Sequence, residues 1–129
     1  MFKIATYNLW NINPPWPVRR DRIAEILKGL HPDVIGFQEV RKYENENQLQ
    51  GLLKLLPNEY QYVYEKVRDE DEGEEEGVAL MSRHPVLTAS SFMTESYGAK
   101  DNRVCLHSLI NITTPWHCSK SIRGYKKWT

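Results

Sequence analysis

The chain has 129 residues, of which 40% are hydrophobic and 26% charged, a composition that suits one globular domain and a length too short for two ordinary ones. Lys plus Arg number 17 and Asp plus Glu number 17, so the chain as a whole is not a basic glove for nucleic acid, although a local patch stays compatible with that balance. Cys105 and Cys118 are the only cysteines; they could pair but make no disulfide framework, and without a Cys-x-x-Cys or a His/Cys cluster a structural zinc site is not expected.

Phe2 to Asn8 reads as a short strand, with Phe2, Ile4 and Thr6 on one side and Lys3, Ala5 and Tyr7 on the other. Pro14, Pro15 and Pro17 then stiffen a loop. Val18 to Leu30 has helical spacing, with Ile23, Ile26, Leu27 and Leu30 as its buried stripe, and Gly29 and Pro32 are expected to end it. The apolar run Asp33-Val34-Ile35-Gly36-Phe37 reads as a buried strand that delivers Gln38, Glu39 and Val40 at its C-terminal end. A second helix is expected over about Asn45 to Leu56, where Leu49, Leu52, Leu53 and Leu56 repeat the spacing. Tyr60, Tyr62 and Tyr64 alternate with Gln61, Val63 and Glu65 as in a strand. Arg68 to Glu76 reads as a solvated acidic loop, Gly77 to Ser82 as an apolar strand, and Val86 to about Met93 as another. Arg103 to Ile112 alternates, with Val104, Leu106, Ile110 and Ile112 on one face. Strand, helix, strand, helix and then a run of strands predicts an α/β or α+β fold with mixed sheets.

Three segments stand out together: Ala5-Thr6-Tyr7-Asn8-Leu9-Trp10, Pro32-Asp33-Val34-Ile35-Gly36-Phe37-Gln38-Glu39-Val40-Arg41, and Glu76-Gly77-Val78-Ala79-Leu80-Met81-Ser82-Arg83. In this order and spacing the chain, over residues 2 to 112, resembles the endonuclease/exonuclease/phosphatase superfamily with its deoxyribonuclease I-like fold. The resemblance implies a four-layer α/β/β/α sandwich, incomplete in this chain. It also implies a metal-dependent phosphoesterase lineage, cleaving phosphodiester or phosphomonoester bonds by in-line attack of water.

Such chemistry needs a hard cation and neutralised phosphoryl oxygens. Mg²⁺ (or Mn²⁺) takes oxygen ligands and keeps several waters, so one or two carboxylates suffice. By resemblance, Glu39 is a metal ligand and Asn8 helps position metal and phosphate, both at strand ends where α/β sites open. Glu76 matches a position that orients a catalytic histidine. Arg103 resembles an arginine near the scissile phosphate, and Arg41 could touch a substrate phosphate. His107 falls inside a strand and His117 matches no motif, so neither carries the catalytic role.

The resemblance further implies a second half: a histidine segment, an Asp-x-Asn element, another carboxylate and a terminal Ser-Asp-His. Thr113 to Thr129 contains none of these and reads as a divergent basic tail (113–129) after a partial domain (1–112). Without the general base the chain is expected to be inactive alone, and with half the strands missing an inner sheet face is expected to stand uncovered, giving marginal stability. Expected partners are phosphate esters: nucleic acid, phospholipid or a small phosphodiester. The competing reading is a non-catalytic interaction or regulatory module, in which the tail, with Trp116, Tyr125 and Trp128, contacts polyanions. No apolar leader follows Met1 and no run approaches a membrane span, so an intracellular, cytoplasmic location is expected.

Overall fold

The computed structural model describes residues 1–43, 46–94, 103–113 and 119–124. The chain opens with strand β1 (Ile4–Asn8), helix α1 (Trp16–Leu30) and strand β2 (Val34–Tyr43). β1 and β2 run parallel, with Ile4 opposite Val34 and Asn8 opposite Gln38, and a parallel pair needs a long crossover, which α1 supplies. After β2 come the two-residue strand β3 (Glu46–Asn47), the short helix α2 (Gln48–Leu53), β4 (Gln61–Asp69) and β5 (Glu75–Ser82). The first sheet has the order β1-β2-β5-β4, with β3 beside β2. β6 (Val86–Thr94), β7 (Arg103–Thr113) and β8 (Ser119–Gly124) form a second, antiparallel sheet.

The first sheet is covered on one face by the helices. Ile35, Phe37, Val40, Ala79 and Met81 of the strands pack with Ile23, Ala24 and Leu27 of α1 and with Leu49 and Leu52 of α2. Full burial of each such large side chain contributes about 1.5–3 kcal/mol. The other face meets the second sheet: Val34 packs with Ile110 and Ile112, and Val78 with Val104 and Leu106. The expected apolar face of β7 is therefore the buried one. The described layers are helices, sheet, sheet, the mixed α/β architecture that the resemblance implies. The inner sheet face expected to stand open is covered by β7; what stays exposed is β1, including Ile4 and Tyr7, and most of β6, including Leu87, Phe92 and Met93.

Several elements differ from the sequence expectation, each for a local reason. α1 starts two residues early, because Pro17 fits the first turn of a helix, where its missing N–H is not needed. Its stop is His31, at φ 46 with its N–H donated to the Leu27 carbonyl, rather than Gly29; the following Pro32 disfavours a helical residue before it. Ile26 and Leu30 are exposed and Ala24 is buried instead, since Ile26 lies about 60° around the helix from Ile23. α2 is only six residues long. Asn47 caps it, accepting the N–H groups of Leu49 and Gln50, while the Gln50 side chain accepts the Asn47 N–H, so the helix cannot begin earlier. The acidic loop shrinks to a tight hairpin, because Arg68 and Asp69 extend β4 and Glu75 and Glu76 open β5. Residues 119–124, which show no period in the sequence, pair with β7.

Candidate active site

β2 does not end at Glu39. Opposite β5 the pairing shifts between Phe37 and Val40, which face Ala79 and Gly77. Gln38 and Glu39 together oppose a single residue, a β-bulge of the kind that re-aims one side chain. Glu39 takes φ 52, left-handed backbone that a residue with a Cβ adopts at a cost. The carboxylate sits half-buried above the C-terminal end of β1. Asn8 ends β1 as expected, and its Nδ2 donates to Glu39 Oε1 at 3.0 Å. Asn8 Oδ1 is engaged by the Trp10 N–H at 2.7 Å, which fixes the amide's orientation. Asn8 thus offers Glu39 a donor and orients it.

Beyond Asn8 the chain turns through Trp10 and Asn11, both at positive φ, a backbone Asn tolerates better than most residues. Asn11 is a hub that sequence reasoning missed. Its N–H donates to the Glu39 carbonyl at 3.1 Å. Its Nδ2 donates to Glu76 Oε2 at 2.6 Å, and its Oδ1 accepts Arg41 Nε at 2.9 Å. Its carbonyl accepts both Gln48 Nε2 and Arg19 Nη2. Gln48, fully buried at the start of α2, also accepts the Arg41 N–H at 2.9 Å. Arg19, from α1, donates to the carbonyls of Leu9, Asn11 and Asn13 and stacks between Trp10 and Trp16. Both helices therefore clamp the loop by its backbone. Nothing in the sequence separates Arg19 from the other charged residues of α1, or Gln48 from Gln50 on α2.

Glu76 is buried in β5 and is not part of a solvated charge run. It lies in register with Arg41 on β2 and Arg68 on β4. Its Oε1 pairs with Arg68 Nη2 at 2.6 Å, so with Asn11 both carboxylate oxygens are engaged. Arg41 pairs with Glu70 and Glu74 of the hairpin turn. An open cavity of about 440 Å³ is lined by Trp10 to Pro14, Glu39, Arg41, Arg68, Glu70 and Glu76, within the range of small-ligand sites. Three of the five expected site residues, Glu39, Glu76 and Arg41, line it, and Asn8 touches it through Glu39. Arg103 does not: it is the exposed first residue of β7, opposite Thr94 in the second sheet. His107 lies within β7 opposite Ser90, away from the cavity. His117, Trp116, Tyr125 and Trp128 fall outside the described residues, as does Cys118, while Cys105 is buried in β7.

At the opposite end of the sheet a second polar cluster holds the start of β2. Asp33, buried, accepts the Lys3 N–H at 2.7 Å, both Arg83 Nε and Nη2, and faces His84 Nε2 at 2.6 Å. Burial raises the Asp33 carboxyl, but the hydrogen bonds from His84, Lys3 and Arg83, with the Arg83 charge, bring it below the usual carboxylate value.

Hard oxygen donors suit Mg²⁺ or Mn²⁺. Glu39 Oε2 accepts no hydrogen bond among the described residues and is the donor that fits such a cation. Among the described residues no three His, Cys, Asp or Glu gather as a metal cluster. Among the described residues no helix is long and apolar enough to cross a membrane.

Comparison with solved structures finds the same fold. An endonuclease/exonuclease/phosphatase family protein from Leptotrichia buccalis superposes with a TM-score of 0.71 at 21% identity, over 87% of this chain and 49% of that one. The mannosyl-6-phosphatase of Bacteroides thetaiotaomicron superposes with a TM-score of 0.67 at 23% identity, over 86% of this chain and 46% of that one. An uncharacterised protein of Acanthamoeba polyphaga mimivirus is 40% identical over 48 residues, 37% of this chain and 18% of that protein. The chain spans about half the length of these solved relatives. A profile of the Endonuclease/Exonuclease/phosphatase family matches residues 5–118, nearly the whole sequence, and the chain belongs to that family.

Proposed function

We propose that this chain carries one side of the active site of a divalent-metal-dependent phosphoesterase. The observation that carries the reading is Glu39, held at a left-handed bulge, oriented by Asn8 and opening onto a cavity it shares with buried Glu76. A strained, over-determined acidic residue in a cleft is where function is expected. Glu39 would hold a Mg²⁺ or Mn²⁺, whose charge would neutralise phosphoryl oxygens during attack by water. Asn8 keeps the Glu39 carboxylate turned toward the cavity. Asn11 links Glu39, Arg41 and Glu76 into one rigid unit, and Arg41 presents a guanidinium to the substrate's phosphate.

Among the described residues no histidine lines the cavity. In this reading a proton acceptor for the attacking water comes from a further part of such a domain, and the chain is expected to be inactive by itself. A phosphodiester, a phosphomonoester and a nucleic-acid substrate all fit the chemistry.

The test uses bis(p-nitrophenyl) phosphate with Mg²⁺ or Mn²⁺, given to this chain and to a longer polypeptide that carries it. The chain alone is expected to show no turnover. The longer form is expected to hydrolyse the ester and to lose roughly 100-fold or more with Glu39→Gln, a loss of the size seen when a charge-stabilising group is removed. Turnover by the longer form that is indifferent to Glu39→Gln would contradict the reading.

A further inference from the structure

Arg41, Glu76 and Arg68 stand side by side on β2, β5 and β4 at one level of the sheet. Arg68 reaches this row through a second irregularity, a register shift in β4 between Lys66 and Arg68. Glu76 is committed to Arg68 Nη2 and to Asn11. One donor from each of the two guanidiniums faces a different carboxylate, Glu70. Glu70 places Oε1 at 2.9 Å from Arg68 Nε and Oε2 at 3.1 Å from Arg41 Nη1. One carboxylate thus bridges two arginines inside the cavity.

The bridge is imperfect. Arg41 Nη1 is buried and makes no hydrogen bond of good geometry, even to the Glu70 oxygen that faces it. A buried guanidinium donor without an aligned acceptor is uncommon. A carboxylate offers two oxygens in one plane, whereas a phosphate offers three in a tetrahedron and suits a pair of guanidiniums approaching from different strands. Glu70 also sits where it can leave. It lies between the end of β4 and a turn in which Glu72 and Gly73 have positive φ, and its N–H is donated to the Glu74 carbonyl across that turn. Its side chain can swing out without breaking the sheet.

We infer that Arg41 and Arg68 form an anion subsite whose internal occupant is Glu70, and that a phosphate group displaces Glu70 on binding. Naming phosphate as the anion rests on the phosphoesterase reading; the two-arginine site itself does not. With Glu70 in place the two guanidiniums face the carboxylates of Glu70, Glu74 and Glu76, and a phosphate is opposed. With Glu70 displaced the opposition falls by one full charge.

The experiment titrates inorganic phosphate into this chain by calorimetry, in EDTA so that no divalent metal contributes. Glu70→Gln is expected to bind phosphate about tenfold more tightly than the natural chain, as expected when a charge-assisted competitor is removed. Glu70→Ala is the second variant, should the first disturb the turn. Adding Arg41→Met or Arg68→Met to Glu70→Gln is expected to abolish the gain. Glu72→Gln, on the same turn but outside the cavity lining, controls for net charge and is expected to leave affinity unchanged. Equal affinity in the natural chain and both Glu70 variants overturns the inference. So does a gain that Glu72→Gln reproduces, or one that survives loss of either arginine. Failure of the phosphoesterase reading is seen separately, as hydrolysis by the longer form that does not depend on Glu39.

Discussion

The strained bulge makes a prediction that reverses an ordinary preference. In a strand, alanine is more favourable than glycine by about 0.5–1 kcal/mol, because glycine loses more backbone freedom on folding. Glu39, however, stands at φ 52, where a Cβ costs roughly 1–2 kcal/mol. Glu39→Ala keeps the Cβ and its cost; Glu39→Gly removes it. Both variants lose the carboxylate and the hydrogen bond from Asn8, so those contributions cancel between them. The steric cost exceeds the entropic one, and Glu39→Gly is expected to be more stable than Glu39→Ala by about 0.5–1 kcal/mol. Equilibrium urea unfolding followed by circular dichroism resolves a difference of that size. Equal stability, or a more stable alanine variant, would refute the claim that the candidate metal ligand is held in strained backbone.

Three further outcomes follow from the packing around the site. A Cβ on Gly77 would stand 2.2 Å from the Glu65 carbonyl and 2.7 Å from the Tyr64 ring, so Gly77→Ala must push β4 away; a loss of about 3 kcal/mol in urea unfolding is expected, at the upper end of overpacking. Gln48→Leu strands the Arg41 N–H, while the Asn11 carbonyl keeps Arg19; a cost of about 2 kcal/mol is expected for one buried unpaired group, with faster amide exchange in residues 9–13. Asp33→Asn leaves Arg83 and His84 without their anion and is expected to cost about 3 kcal/mol near neutral pH. Because the folded Asp33 carboxyl lies below its ordinary value, its contribution is present in full above the unfolded value and fades as pH falls below about 4. The stability gap between the natural chain and Asp33→Asn should narrow over that acid range; a gap that stays constant there would contradict the assignment.

The strands and helices were legible where a buried face repeats. Ile35, Phe37 and Val40, and Val104, Leu106, Ile110 and Ile112, are apolar in the pattern their packing requires, and they lie in the core. Pattern alone placed Ile26 and Leu30 inside as well, because periodicity cannot tell which of two adjoining helix faces meets the sheet. Glu39 and Asn8 were found through motifs, but the bulge that aims Glu39 was not, since it arises from pairing with β5 and leaves no local mark. Glu76 was singled out by resemblance, but not by the acid-dense stretch around it; its burial beside Arg41 and Arg68 on two other strands comes from the pairing of β5. Asn11, Gln48, Arg19 and Glu70 were not singled out. Asn11 and Gln48 act through partners distant in sequence, 65 residues away for the bond from Asn11 to Glu76 and 37 for that between Gln48 and Asn11; Arg19 and Glu70 act on nearer groups whose conformation only the folded loop and hairpin set. Arg103 was placed by resemblance and stands outside the cavity, at the start of β7.

The central claim is that Glu39 is the anchor for a divalent cation. Titration of Mn²⁺ into this chain, followed by the loss of the free-ion paramagnetic resonance signal, reads that directly and needs no turnover. One Mn²⁺ per chain is expected to bind, and Glu39→Gln is expected to weaken it by roughly tenfold or more. No binding to the natural chain, or equal binding to the variant, would contradict the account.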